Sequence, residues 1–260
     1  MSSFAPSHER PTLLELTRSA EYTARAFEVL RRIDAVTDPA EIVGVLALAV
    51  SRLGGDAAVF TTFLCEDETL STYRSVLACD PLWGTEYARN GWFVDDPWLQ
   101  YAMCHAEPVR ASELRVEKTA ERIVVDAAAL YGFRSAVIVP APTSAGQARV
   151  GMLAVGSNTA GYFDGDGYAA FRLVALSLAM ELHAWWHRHI RQELVARARI
   201  TEADLVLLRH EQAGHTSKVI AKALQIDART IDSRFQRISA KLGAANRHAA
   251  VRLAKIYGLI

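Results

Sequence analysis

Near residue 190 the chain changes character, and that change limits the folds open to it. Before that point, β-branched and aromatic runs alternate with amphipathic helical runs. Beyond it no strand candidate occurs, only short helical segments set between polar caps and glycines. Two domains fit comfortably in 260 residues. Charge divides at nearly the same place. Residues 196–260 carry twelve Lys/Arg against five acids, a net of +7; residues 1–195 carry seventeen against twenty-four, a net of −7. The formal charge of zero for the whole chain therefore hides a basic module suited to a polyanion behind an acidic one that is not.

The acidic part reads as follows. Thr12 to Val36 has helical spacing, as one long helix or two short ones. Asp38-Pro39 opens a helix that Gly54-Gly55 stops. Strands are expected at Ala57–Leu64 and Thr72–Ala78, joined through a turn at Glu66-Asp67-Glu68. Pro81 to Asp96 is aromatic-rich and reads as irregular, Pro97 opens a short helix, and Val116–Tyr131 is helical up to Gly132. Two further strands, Arg134–Pro140 and Arg149–Gly156, flank a turn at Thr143-Ser144-Ala145-Gly146. Asp164 or Asp166 then caps a long helix to about Ile190. The expected architecture for residues 1–190 is an α/β fold, an α-β-α sandwich around an antiparallel sheet, in the style of small-molecule sensor domains. Arg191–Arg199 loses its apolar face and gains arginines, which reads as a linker.

Residues 200–260 read as an all-α, four-helix unit. Thr201 with Asp204 forms a capping-box variant, Thr216 or Ser217 opens a short helix to Leu224, Asp227 opens a longer one to Leu242, and Asn246 opens the last. Two helices joined by a tight turn make a helix-turn-helix. The shorter is expected to bury Val219, Ile220, Ala223 and Leu224, and the longer Ile231, Phe235, Ile238 and Leu242. The opposite face of the longer helix presents Arg229, Thr230, Ser233, Arg234 and Arg237. Arginine can fork onto guanine, and Ser or Thr can take a phosphate or a base edge. Lys218, Lys222 and Lys241 are placed to neutralise phosphates. A solvated basic bundle with no ligand would give the same charge pattern.

The stretch Ile200-Thr201, Asp204, Leu208, Gly214, Ser217-Lys218-Val219-Ile220-Ala221, Thr230-Ile231, Lys241-Leu242-Gly243, Asn246-Arg247 and Ala250-Val251 resembles the DNA-binding domain of LuxR-type transcriptional regulators. The resemblance implies double-stranded promoter DNA with two-fold symmetry as partner, dimerisation through the last helix (here Asn246–Tyr257), and RNA polymerase as a further partner. Asp204 stands where the family usually has Glu, and Asp232 where it often has a basic residue. An acid there either turns away from the duplex or accepts from a cytosine amine. Trp83, Tyr87, Trp92 and Asp96-Pro97, with Pro108 twelve residues after Asp96, resemble the pocket segment of the quorum-sensing members that bind acyl-homoserine lactones. By that resemblance Trp83 donates to the lactone carbonyl, Asp96 accepts from the ligand amide, Tyr87 lines the acyl chain and Leu99 forms wall. Simple core packing with a helix start at Asp96 accounts for the same residues.

Four positions depart from the family: Cys79 replaces a usual Tyr, Ala111 a frequent aromatic, Ala136 a common Gly, and Ala154 a frequent Ser or Thr. Each removes a polar partner or changes the room near the lactone. A long or bulky acyl chain, a different signal, or no ligand at all would each fit that pattern.

Other chemistry finds little purchase. No nucleophile elbow, P-loop or dinucleotide fingerprint occurs, so an enzyme is not expected. A single lysine before residue 196, Lys118, argues against a phosphorylated receiver. His183 and His187 share a helix face but lack a third metal ligand, and with His189, Trp185 and Trp186 they read as a solvent or dimer face. No cofactor is expected beyond the signal. Cys65, Cys79 and Cys104 are odd in number with no C-x-x-C spacing, and read as buried reduced thiols. With no signal peptide and no spanning segment evident, a cytoplasmic homodimer is the expectation.

Overall fold

The computed structural model describes residues 10–65, 71–143 and 149–260. The turn expected at Glu66-Asp67-Glu68, the turn residues Ser144-Ala145-Gly146 and the polar N-terminus to Glu9 lie outside the described residues.

Thr12 to Val36 forms two helices, α1 (Leu13–Arg18) and α2 (Tyr22–Ile33). The Asp38-Pro39 start holds: α3 (Pro39–Leu53) has the Asp38 carboxylate accepting from the Ala40 amide, and Gly54 ends it at φ 88°. Strands β1 (Ala57–Cys65) and β2 (Ser71–Ala78) follow. The segment read as irregular is instead a helix, α4 (Pro81–Asn90), with a 3-10 turn after it at Trp92–Val94. Its start repeats the α3 device: Asp80 caps it, Pro81 takes the first position, and left-handed Gly91 ends it. Then come α5 (Pro97–Cys104), a two-residue strand β3 (Val109–Arg110) and α6 (Thr119–Leu130). Strands β4 (Ser135–Ala141) and β5 (Arg149–Ser157) precede the long helix α7 (Tyr168–Ala198).

The sheet has five strands in the order β2-β1-β5-β4-β3. The β4–β5 and β3–β4 pairs are antiparallel; Ala136 faces Gly156 and Ile138 faces Ala154. Every residue of β4 and β5 is buried, which requires cover on both faces of these strands and fits the expected sandwich.

The chain divides into two compact units. Met1–Thr61, Arg74–Pro142 and Val150–Leu182 make one; Thr62–Tyr73, Thr143–Arg149 and His183–Ile260 make the other. The stretch read as a linker is helical as far as Ala198, and the chain leaves the helix at Arg199, whose φ is 48°. Trp185, Trp186 and His183 are buried within the protomer rather than forming a solvent or dimer face. Burial, with Arg149 adding to it, pushes the His183 imidazole down to about 4, so it is neutral near pH 7. Cys79 is half-buried and Cys104 exposed, so the expectation of buried thiols fails for both.

In the second unit the four helices fall where their caps predict: α8 (Glu202–Gln212), α9 (Ser217–Leu224), α10 (Ala228–Leu242) and α11 (Arg247–Ile256). Thr201, Thr216, Asp227 and Asn246 each accept from an amide three residues on. Leu207, Leu208, Ile220, Ile231, Phe235, Ile238, Ala250 and Ala254 build the core. Val219 and Ala223 are exposed, against expectation. A helix of eight residues has one narrow inward face, and Ile220, Ala221 and the half-buried Leu224 occupy it.

Gly132 combines a φ of 102° with a close approach: a Cβ there would lie 2.7 Å from the Ala57 Cβ. Gly214 is also left-handed but faces open space. Gly132→Ala is expected to lower unfolding free energy by about 2–3 kcal/mol and Gly214→Ala by about 1 kcal/mol. Urea unfolding of the two variants checks the order.

Candidate functional site

Pairing α4 with α5 creates the first candidate site. Trp83 and Tyr87 lie one turn apart on α4, so their side chains share a face. Asp96 caps α5, its Oδ1 accepting from the amides of Trp98 (2.8 Å) and Leu99 (3.4 Å). Its Oδ2 accepts from the Tyr87 hydroxyl at 2.7 Å. Asp96 is 3% exposed. Burial raises its carboxyl above the ordinary range, and the donors Tyr87, Trp98 and Leu99 oppose that rise. A carboxylate has about four acceptor positions, so Asp96 retains one for a further N–H.

Aromatic rings surround this carboxylate's partners. The Trp83 ring lies 5.5 Å from Tyr87, 5.5 Å from Trp92, 5.7 Å from Tyr131 and 6.3 Å from Phe133. Trp98 lies 5.9 Å from Phe133, and Leu99 is buried beside it on α5. The structure thus brings together Trp83, Tyr87, Trp92, Asp96 and Leu99. Sequence reading missed Tyr131 and Phe133. Their signal was present, an aromatic on each side of a helix-ending glycine, but only the glycine was used.

The departing positions lie on other elements. Cys79 follows the end of β2, its thiol donating to the Asp80 carbonyl at 3.7 Å, and burial first, with Asp80, pushes it up to about 12. It is a thiol, not a thiolate, at neutral pH. Ala111 opens a 3-10 turn, Ala111–Glu113, and is half-buried. Ala136 and Ala154 are buried on β4 and β5.

The second candidate site lies on α10. Arg229, Ser233 and Arg237 are exposed, and Thr230 and Arg234 half-buried, along one side of the helix. The Thr230 hydroxyl donates to Asp227 at 2.6 Å, which fixes the first turn. Lys218 is exposed on α9. Lys241 is tied down: its Nζ donates to the Asp204 carboxylate at 2.6 Å and the Arg199 carbonyl at 2.8 Å. That pairing holds the Asp204 carboxyl below its usual range against the effect of burial. Asp232 turns toward α9, accepting from the Ser217 hydroxyl at 2.6 Å. Ser217 in turn accepts from Arg247 at 3.1 Å, and Arg247 pairs with the buried Glu211 and covers the Phe235 ring at 4.5 Å. Sequence reading missed this chain of contacts, which fastens α8, α9, α10 and α11 together.

A ring-walled acceptor in an α/β unit and a basic helix-turn-helix define the class of signal-responsive regulators. Comparison with known proteins agrees. The autoinducer binding domain family matches residues 38–184, and the bacterial regulatory proteins of the luxR family match residues 201–254. The chain belongs to the LuxR-type quorum-sensing regulators. It is 22% identical over 180 residues to the transcriptional activator protein VanR of Vibrio anguillarum, covering 68% of this chain and 73% of VanR. Among solved structures it resembles SdiA in complex with octanoyl-rac-glycerol, with a TM-score of 0.69, 16% identity and coverage of 93% and 98% of the two chains. The lactone-dependent LuxR family factor CepR2 of Burkholderia cenocepacia also matches, with a TM-score of 0.56, 19% identity and coverage of 66% and 99%. At such identities the structural likeness shows the fold.

Because the folded-state carboxyl of Asp96 is raised, its contribution to stability is full below the unfolded value of about 3.8 and is lost as pH rises through the folded value. Asp96→Asn is therefore expected to gain stability relative to the parent as pH rises through that window. Tyr87→Phe removes an opposing donor, so it moves the window upward. Unfolding free energies measured from pH 4 to 8 on the three proteins check the sign.

Proposed function

We propose that the protein is a homodimeric, cytoplasmic transcriptional regulator. In this reading residues 1–190 bind an acyl-homoserine lactone or a similar amphipathic acyl signal, 191–199 connect, and 200–260 read promoter DNA of two-fold symmetry. The observation that carries this reading is the buried Asp96 carboxylate, with one acceptor position left and aromatic rings about its Tyr87 partner. An apolar wall with one convergent polar group suits a ligand that has an acyl chain and an amide. The octanoyl-rac-glycerol named for SdiA has an acyl chain with a different polar head.

Arg229, Thr230, Ser233, Arg234 and Arg237 would enter the major groove, with Lys218 on phosphate. Lys241 would have to exchange Asp204 for a phosphate to join them. For dimerisation, α7 offers Leu173 at 61% exposure and Met180 at 41%, one apolar stripe at i, i+7. A second reading, a regulator responding to a non-lactone signal or to none, is favoured by Cys79, Ala111 and Ala154, which stand where the family usually has Tyr, an aromatic and Ser or Thr, and by Ala136, which adds a methyl where the family commonly has Gly.

Two experiments test the proposal. Melting with a panel of acyl-homoserine lactones should show a saturable rise for at least one chain length, absent in Trp83→Phe. A flat panel favours the second reading. Arg234→Ala should weaken operator binding by about 1–3 kcal/mol, roughly five- to 150-fold, with melting unchanged. Unchanged affinity and sequence preference in a gel shift would remove α10 as the reading helix.

A further inference from the structure

The second unit encloses a small void lined by Thr62 of β1, Arg149 at the start of β5, Trp186, His187 and Ile190 of α7, and the end of α11 at Ile256. It has room for about one water-sized species. Arg149 is 8% exposed, and its Nη1 donates to the Ile256 carbonyl at 2.9 Å. Among the described residues, Arg149 Nε, Trp186 Nε1, Thr62 Oγ1 and His187 Nε2 are buried with no hydrogen-bond partner. Arg Nε and Trp Nε1 can only donate, and a Thr hydroxyl can do so. Unpaired buried donors are costly, and an uncompensated buried guanidinium more so. Among the described residues, burial alone lowers the Arg149 guanidinium and no carboxylate holds it up. Among the described residues, the other charges felt at this place are also cationic: Arg149 acts on His183, and Arg149, Arg191 and Arg188 act on His187. Gly258, left-handed at φ 64°, lies so near His187 that a Cβ would collide with the ring, so the α11 end is closely applied to this wall.

We propose that this void is a binding site for one monatomic anion of the chloride type, which accepts from Arg149 Nε, Trp186 Nε1 and the Thr62 hydroxyl and brings the end of α11 and α7 to a common charge. A water accepts about two hydrogen bonds and leaves the cation uncompensated; an anion meets both demands. Nothing in the family assignment or the signal pocket enters this inference, so its failure leaves the proposed function standing.

Bromide tests it directly. Crystals of the full chain soaked in sodium bromide should show an anomalous peak within hydrogen-bond reach of Arg149 Nε and Trp186 Nε1. In solution, melting temperature should rise saturably by about 2–4 °C when chloride or bromide replaces gluconate at constant ionic strength. Arg149→Met should abolish that rise and Thr62→Val should shift its midpoint to higher halide. If Arg149→Met fails to fold, Thr62→Val and the bromide map of the parent decide. A blank map or a lone water in the void overturns the proposal, as does identical melting in chloride and gluconate.

Discussion

Asp96 closes three hydrogen bonds at once. Its Oδ1 caps α5 through the amides of Trp98 and Leu99, and its Oδ2 takes the Tyr87 hydroxyl from α4. A carboxyl group so deeply buried is tolerable only while those donors stay in place. The bond from Tyr87 therefore sets where α4 lies against α5. Trp83 sits one turn before Tyr87, so its ring is carried into the space shared with Trp92, Tyr131 and Phe133. Helix start and the anchoring of Tyr87 are thus one residue in two uses.

The second unit solves a comparable problem with a longer relay. Glu211 on α8 is buried, Arg247 on α11 pairs with it, and Ser217 and Asp232 extend the chain to α9 and α10. His248 adds a contact to Glu211 at 3.2 Å. Opposite charges in this relay offset each other and tie four short helices, already packed on Leu207, Leu208, Ile220, Ile231, Phe235 and Ile238, into one arrangement. The acid on the exposed side of α10 is drawn into this relay. Asp232 there accepts from the Ser217 hydroxyl.

Most of the second unit was legible because each helix carries its own start and stop, and local chemistry at Thr201, Thr216, Asp227, Asn246 and Gly243 decides the boundaries. The first unit was less so. Helix α4 hid behind its aromatic content and Gly84, although Asp80-Pro81 repeats the Asp38-Pro39 start. Strand β3 is two residues long and leaves no periodicity to detect. The arginine-rich run after Ile190 lost its apolar stripe but not its helix, since Arg, Gln, Glu, Leu and Ala are all good helix formers. Burial of Arg149 and His183 was invisible, because no local pattern marks a polar residue held in place by distant elements. The aromatic cluster about Asp96 was found by residue type and spacing, while its hydrogen-bond logic needed coordinates.

The five tryptophans of the chain fall into two groups. Trp83 and Trp92 share the ring cluster around Tyr87, and Trp98 reaches it through Phe133. Trp185 and Trp186 stack on each other and on His189, on α7 within the other unit. The molecule thereby carries two intrinsic fluorophore sets in separate surroundings. With one set silenced by substitution, ultraviolet emission would follow events at the aromatic cluster or at the α7 wall alone, with no dye attached.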